Sequence, residues 1–138
     1  MRLVNFMISA MILAGCSVTP QKNVLPVLET AVQEGTPLFG HQDDLMYGHT
    51  WNVTKENDHG MTRSDVLSTA GAYPYILGLD LGGLEIDSPF NLDGNDFNLM
   101  REAAEKHYGR GGIVTLSWHL RNPLTGGDTW YVSSDEVV

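Results

Sequence analysis

Apolar residues alternate with polar or small residues in two short segments of the chain. Residues 75–82 carry Leu77, Leu79 and Leu81 at every second position, and residues 112–119 alternate in the same way. A period of two is typical of a β-strand that buries one face. The pattern therefore predicts two strands, each with one face packed on other elements.

Two other segments show the end signals of helices. Residues 26–34 have a proline in the first turn and are followed by Gly35, and residues 64–70 begin with Ser64 and are followed by Gly71. Proline suits the first helical turn, serine caps a helix start, and glycine suits the position after the last turn. Both segments are predicted to be helices.

A third helix is predicted over residues 95–108, where apolar residues recur every three to four positions. A further strand is predicted over residues 36–43, so that strands and helices alternate along the chain. This order implies parallel strands joined by right-handed crossovers, and hence an α/β fold. The buried stripe of the third helix is predicted to be Phe97, Met100, Ala104 and Tyr108.

The two alternating strands also predict which side chains face the helices. In a (β/α)₈ barrel, the leucine face of residues 75–82 packs on the outer helices, and the opposite face points to the barrel axis. Val114, Leu116 and Trp118 form the corresponding outer face of the last strand. His119 then falls on the inner face.

Polar side chains follow the predicted strands. His41 ends the first strand, Asp80 ends the second with Glu85 just beyond it, and His119 ends the third. The carboxyl ends of parallel strands meet at one edge of a sheet, which is where barrel enzymes place their active sites. These side chains are therefore predicted to converge on one rim.

Composition limits the function. The chain has 138 residues, a formal charge of −9 and 42% hydrophobic residues, which is typical of one globular domain. A protein that binds nucleic acid through the phosphate backbone needs a basic patch, and this sequence has no cluster of Lys and Arg. No nucleic-acid partner is expected. The five histidines match no zinc signature, so neither a metal nor a cofactor is expected.

The first residues predict export. Residues 1–15 carry one positive charge and an apolar run too short to span a bilayer, as in a signal peptide. Leu13–Cys16 (LAGC) resembles the bacterial lipoprotein box, which implies cleavage before an acylated Cys16. We expect residues 16–35 to form a lipidated tether and the first helix. The lipid would hold the domain on a membrane, and Ser17 favours the outer membrane or cell surface because it lacks the aspartate associated with inner-membrane retention.

Several short motifs occur in order at the spacing of successive βα units. They are residues 38–44 (LFGHQDD), 47–48 (YG), 63–66 (RSDV), 73–74 (YP), 79–85 (LDLGGLE), 97–102 (FNLMRE), 111–123 (GGIVTLSWHLRNP) and 126–127 (GG). Together they resemble glycoside hydrolase family 26, the endo-β-1,4-mannanases and their relatives. The resemblance implies a (β/α)₈ barrel and retaining hydrolysis of β-mannan, an extracellular polysaccharide. A barrel takes about 250 residues, so residues 36–138 are expected to hold about its first three βα units.

The resemblance also implies which residues meet the substrate. The two catalytic glutamates of the family lie in later motifs that match nothing here, so we expect an N-terminal fragment without catalytic residues. His119 corresponds to a residue that contacts the sugar at the cleavage subsite. The other candidate substrate contacts are His41, Trp130 and Trp118, although strand alternation favours a core role for Trp118.

Two other interpretations stay open at this point. The chain could be a non-catalytic glycan-binding lipoprotein, in which three βα units and aromatic loops contact sugar without hydrolysis. That interpretation leaves both sheet edges unpaired. The chain could also be an unfolded remnant without activity.

Overall fold

A computed structural model describes residues 23–128. The predicted signal peptide, the predicted lipidation site Cys16 and the aromatic residue Trp130 lie outside the described residues. The helices are α1 (Leu25–Glu34), α2 (Asp65–Ala70) and α3 (Phe97–Gly109), and the strands are β1 (Gly40–Gln42), β2 (Tyr47–Gly48), β3 (Trp51–Asn52), β4 (Ile76–Asp80) and β5 (Ile113–Ser117). None of the helices within residues 23–128 has the length and apolar character needed to cross a membrane.

Strands β1, β4 and β5 form one parallel sheet in the order β1-β4-β5. In its register, His41 lies opposite Leu77 and Leu77 lies opposite Val114, while Asp80 lies opposite Ser117. The predicted parallel α/β arrangement is confirmed. Within the described residues the sheet has three strands and does not close into a barrel.

The first predicted strand, over residues 36–43, is shorter in the structure. The carbonyl of Phe39 accepts hydrogen bonds from the amides of Tyr75 and Ile76, so pairing with β4 begins at Gly40. Asp43 then adopts a φ of 52°, which is incompatible with continued strand geometry. Strand pairing with β4 is therefore limited to Gly40–Gln42.

A two-stranded antiparallel hairpin, β2 and β3, lies between β1 and α2. The carboxylate of Asp65 fixes it to the start of α2, because it accepts hydrogen bonds from Trp51 Nε1 at 2.7 Å and from the amide of His49 at 2.6 Å. Ser64 caps α2 as predicted, with its hydroxyl accepting from the amide of Leu67 at 2.9 Å.

Helix α3 packs on β4, and three of the four residues of the predicted stripe lie in the core or pack against it, namely Phe97, Met100 and Ala104. Met100 is buried as predicted, whereas Tyr108 is 39% exposed. The residues of α3 that are buried are Leu99, Met100, Ala103 and His107. Positions three and four apart share a helix face, so a stripe through Leu99 and Ala103 turns Tyr108 outward. Leu77 and Leu79 are buried in the same cluster, which confirms the predicted helix-facing side of β4.

The corresponding prediction for β5 is wrong beyond its first residues. Val114 packs against the core cluster, but Leu116 is 62% exposed and Trp118 is 48% exposed. Helix α3 packs against β4 and β5, and burial along β5 falls from Ile113 to Ser117, so only the start of the strand is covered. Strand alternation gives the face of these residues correctly but not their burial.

Candidate functional site

A cleft of about 450 Å³ lies where the segments that follow β4 and β5 meet. Its walls mix polar and apolar groups. They include His119, Arg121, Asn91 and Asp128 as polar side chains and Phe90 and Leu92 as apolar ones. Asn91 is buried and fixes the first segment, since its Nδ2 donates to the carbonyl of Asp80 at 3.2 Å.

Asp80 orients His119 at this cleft. His119 Nδ1 lies 2.5 Å from Asp80 Oδ2, and Ser117 Oγ donates to the same oxygen at 2.6 Å. The second oxygen, Oδ1, accepts from the amide of Gly82 at 2.7 Å. A Cβ at Gly82 would lie 2.8 Å from the carbonyl oxygen of His119, so this approach requires glycine. The predicted meeting of Asp80 and His119 at the carboxyl edge of the sheet is confirmed.

The protonation of this pair follows from its hydrogen bonds. Burial by itself would raise the pKa of Asp80, but the hydrogen bonds from Ser117, Gly82 and His119 outweigh burial and hold the pKa below its ordinary value. An ionised carboxylate accepts only, so we assign the proton to Nδ1 of His119. That tautomer makes Nε2 of a neutral ring a hydrogen-bond acceptor.

Glu85 lies beside this pair and joins the two segments. Its Oε2 accepts from the amide of Gly83 at 2.9 Å and from Trp118 Nε1 at 3.2 Å, and its Oε1 accepts from the amide of Arg121 at 2.9 Å. These hydrogen bonds, that from Arg121 foremost, lower the pKa of Glu85 to about 2. Trp118 is therefore tied to Glu85 and is not part of the core that strand alternation favoured.

His41 does not join the other predicted rim residues. It shares the register position of Leu77 and so lies on the helix-facing side of the sheet. There it borders a groove of about 610 Å³ between β1 and α2, and its Nδ1 lies 3.5 Å from Asp44 Oδ1. The prediction that His41 converges with Asp80 and His119 is wrong, because one strand position separates the two faces.

The sequence interpretation missed Asp43 as an unusual carboxyl. Asp43 is fully buried at the end of β1, with its Oδ2 3.5 Å from the hydroxyl of Tyr47. Burial first, and then the nearby charges of Asp93 and Asp80, raise the pKa of Asp43 to about 6. In the sequence, the only signal of this unusual carboxyl is the pair of adjacent aspartates, Asp43 and Asp44, at the end of the first predicted strand. Across residues 23–128, no three His, Cys, Asp or Glu side chains are grouped to hold a metal ion.

Polar side chains gathered at the carboxyl edge of a parallel sheet are an arrangement that α/β barrels share with other parallel α/β folds. The profile described as glycosyl hydrolase family 26 matches residues 24–137. The chain belongs to glycosyl hydrolase family 26.

Solved structures agree with this assignment. A family 26 β-mannanase from Bacteroides ovatus is 43% identical with a TM-score of 0.68, and the match covers 80% of this chain and 31% of that one. A modular endo-β-1,4-mannanase from Cellulomonas fimi is 31% identical with a TM-score of 0.61, covering 81% of this chain and 24% of that one. This chain thus spans less than a third of the length of either. A comparison with curated proteins gave no match.

Proposed function

We propose that this chain is part of an enzyme that hydrolyses β-1,4-mannan with retention, and that the polysaccharide binds in the cleft beside His119. The observation that carries the proposal is the Asp80–His119 pair, which opens onto that cleft in a member of a glycoside hydrolase family. The similar structures are described as β-mannanases, which favours mannan as the polysaccharide.

The cleft walls suit a sugar. A pyranose presents hydroxyl groups at its edge and an apolar face of C–H groups, so a sugar site needs both polar groups and exposed apolar surface. His119 and Arg121 supply the polar groups, and the half-exposed side chains of Phe90 and Leu92 supply the apolar surface. Trp118 and Trp130 remain proposed contacts of a longer polysaccharide, and His41 would contact it only outside this cleft.

The proposed role of this chain is substrate binding. Retaining hydrolysis needs two carboxyl groups about 5 to 5.5 Å apart, one of which is a general acid with a raised pKa. Glu85 and Asp80 do not fit that acid, because hydrogen bonds lower the pKa of both. Asp43 has a raised pKa, but it is fully buried and cannot reach a polysaccharide.

Calorimetric titration of the full chain with mannohexaose tests the site. We expect His119→Ala to weaken binding by about tenfold, because a hydrogen bond to sugar is lost. His49→Ala is the matched control, since its ring is exposed and only its backbone amide binds Asp65. Absence of binding by the unaltered chain contradicts the proposed function. Unchanged binding by His119→Ala contradicts the proposed site.

The low pKa of both strand-end carboxylates favours a second candidate, a glycan-binding protein that does not hydrolyse. Incubation of the full chain with mannan tests the binding role, because release of reducing ends would contradict a chain without its own catalytic pair. The DNA downstream of residue 138 distinguishes the two candidates. An in-frame continuation with two further glutamates at strand ends supports the enzyme, whereas a verified stop codon supports the glycan-binding candidate.

We also propose that Cys16 carries a lipid that anchors the exported protein, at the outer membrane or cell surface. The support is the LAGC motif that ends the apolar run. Labelled palmitate should enter the unaltered protein and not Cys16→Ala. Equal labelling of both proteins contradicts this proposal.

A further inference from the structure

We infer that Glu85 is a positioning residue for the sugar cleft. Its side chain holds the segment that carries His119 against the segment that follows β4. This inference rests on the proposed function, because it assigns how the same cleft is held in shape. Glu85 itself does not line the cleft. It acts through the backbone of its neighbours.

The hydrogen bonds of Glu85 are divided unequally between the two segments. Oε2 of Glu85 accepts from Gly83 within its own segment and from the indole of Trp118, and Oε1 accepts from the amide of Arg121. The two contacts beyond its own segment therefore fall on either side of His119 in the chain. Asp80 fixes the ring of His119, and Glu85 fixes the backbone on which that ring is carried.

Neither glutamine nor alanine reproduces this arrangement. A glutamate presents two acceptor oxygens, and all three groups that face it are N–H donors. Glutamine would keep one acceptor for Arg121 but would turn an NH₂ group toward the other two donors. Alanine would remove every contact and leave the two segments joined mainly through Asp80.

The cleft depends on this junction. Gly83 and Ile86 belong to the first segment, whereas His119 and Arg121 belong to the second, and all four border the cleft. Movement of the second segment would shift two polar contacts of the sugar together. Charge-assisted hydrogen bonds are about twice as strong as neutral ones, so Glu85 is suited to prevent that movement.

The test uses the full chain with Glu85→Ala, Glu85→Gln and the control Glu56→Ala, whose carboxylate is exposed. Affinity for mannohexaose is measured by calorimetry, and backbone amide exchange of residues 118–121 is measured by NMR. We expect Glu85→Ala to lose about tenfold in affinity and to exchange at least about tenfold faster at Arg121. Glu85→Gln should recover part of both, and Glu56→Ala should change neither.

The exchange measurement keeps this inference separate from the proposed function. If the unaltered chain binds no mannohexaose, the proposed function fails, and exchange at Arg121 alone decides whether Glu85 locks the segment. Unchanged exchange in Glu85→Ala overturns the inference whatever the affinity. Faster exchange with unchanged affinity also overturns it, because the lock would then not serve the cleft.

Discussion

Asp80 and Asp43 follow neighbouring strands of one sheet, and both are buried, yet their surroundings are opposite. Asp80 accepts hydrogen bonds from Ser117, from His119 and from a backbone amide. Asp43 has only the side chain of Gln42 and the hydroxyl of Tyr47, at 3.5 Å, as donors, and its Oδ1 has no hydrogen-bond partner within residues 23–128. Burial opposes ionisation of both carboxyls, but at Asp80 the donors outweigh it, whereas at Asp43 the charges of Asp93 and Asp80 add to it.

The difference decides what each carboxyl can do. Donors hold the pKa of Asp80 below its ordinary value, so it stays ionised and orients His119. Burial and two neighbouring aspartates raise the pKa of Asp43 to about 6. Ionisation of Asp43 at neutral pH therefore opposes folding, whereas ionisation of Asp80 supports it.

Asp80→Ala should give the largest effect. Four donors at the sheet edge would lose their acceptor, and hydrogen bonds to a charged group contribute about 1.5 to 3 kcal/mol each before the donors find water. We expect the free energy of unfolding to fall by about 3 kcal/mol, measured by urea denaturation at pH 7. A loss no larger than that of Glu56→Ala, which removes an exposed carboxylate, would contradict the role of these donors.

Asp43→Asn should have the opposite sign and a smaller size. Because the folded pKa of Asp43 is about 6 and its ordinary value is 3.8, the folded state binds its proton more tightly than the unfolded state. Stability is then lost as the pH rises from about 4 to above 6. Removing the charge should raise the free energy of unfolding by about 1 to 3 kcal/mol at pH 7.

The pH dependence checks this sign. At pH 4 the carboxyl of Asp43 is protonated in the folded state, so the gain from Asp43→Asn should nearly disappear. Asp87→Asn is the control, since Asp87 is exposed at the surface and asparagine tolerates its φ of 54°. An equal gain at pH 4 and pH 7 would exclude the charge as the cause.

The sequence predicts Asp80 well and Asp43 poorly for the same reason. Alternation in residues 75–82 and 112–119 places Asp80 and His119 on one face, and the parallel order brings those strands together. Local pattern therefore predicts this pair. The pKa of Asp43 depends first on its burial and then on Asp93, which lies in a loop whose path no hydrophobic period describes.

Other errors also arise from packing between distant segments. The α3 pattern allows several adjacent stripes, and contact with β4 selects the one through Leu99 and Ala103. A shift of one residue in the register of β1 would move the side chain of His41 to the other face of the sheet, and the local pattern does not specify that register. The burial of Leu116 depends on what covers β5, which its own alternation does not specify.

Removing the side-chain hydroxyl that contacts each of the two carboxyls should change the free energy of unfolding least, and it should show the contrast between them most clearly. Ser117 Oγ lies 2.6 Å from Asp80, whereas the hydroxyl of Tyr47 lies 3.5 Å from Asp43, at the limit of a hydrogen bond. We expect Ser117→Ala to lower the free energy of unfolding by about 1 kcal/mol and Tyr47→Phe by less than about 0.5 kcal/mol. Each variant is the control for the other, measured by urea denaturation at pH 7. If Tyr47→Phe cost as much as Ser117→Ala, Asp43 would be held by a real donor, and the contrast between the two carboxyls would fail.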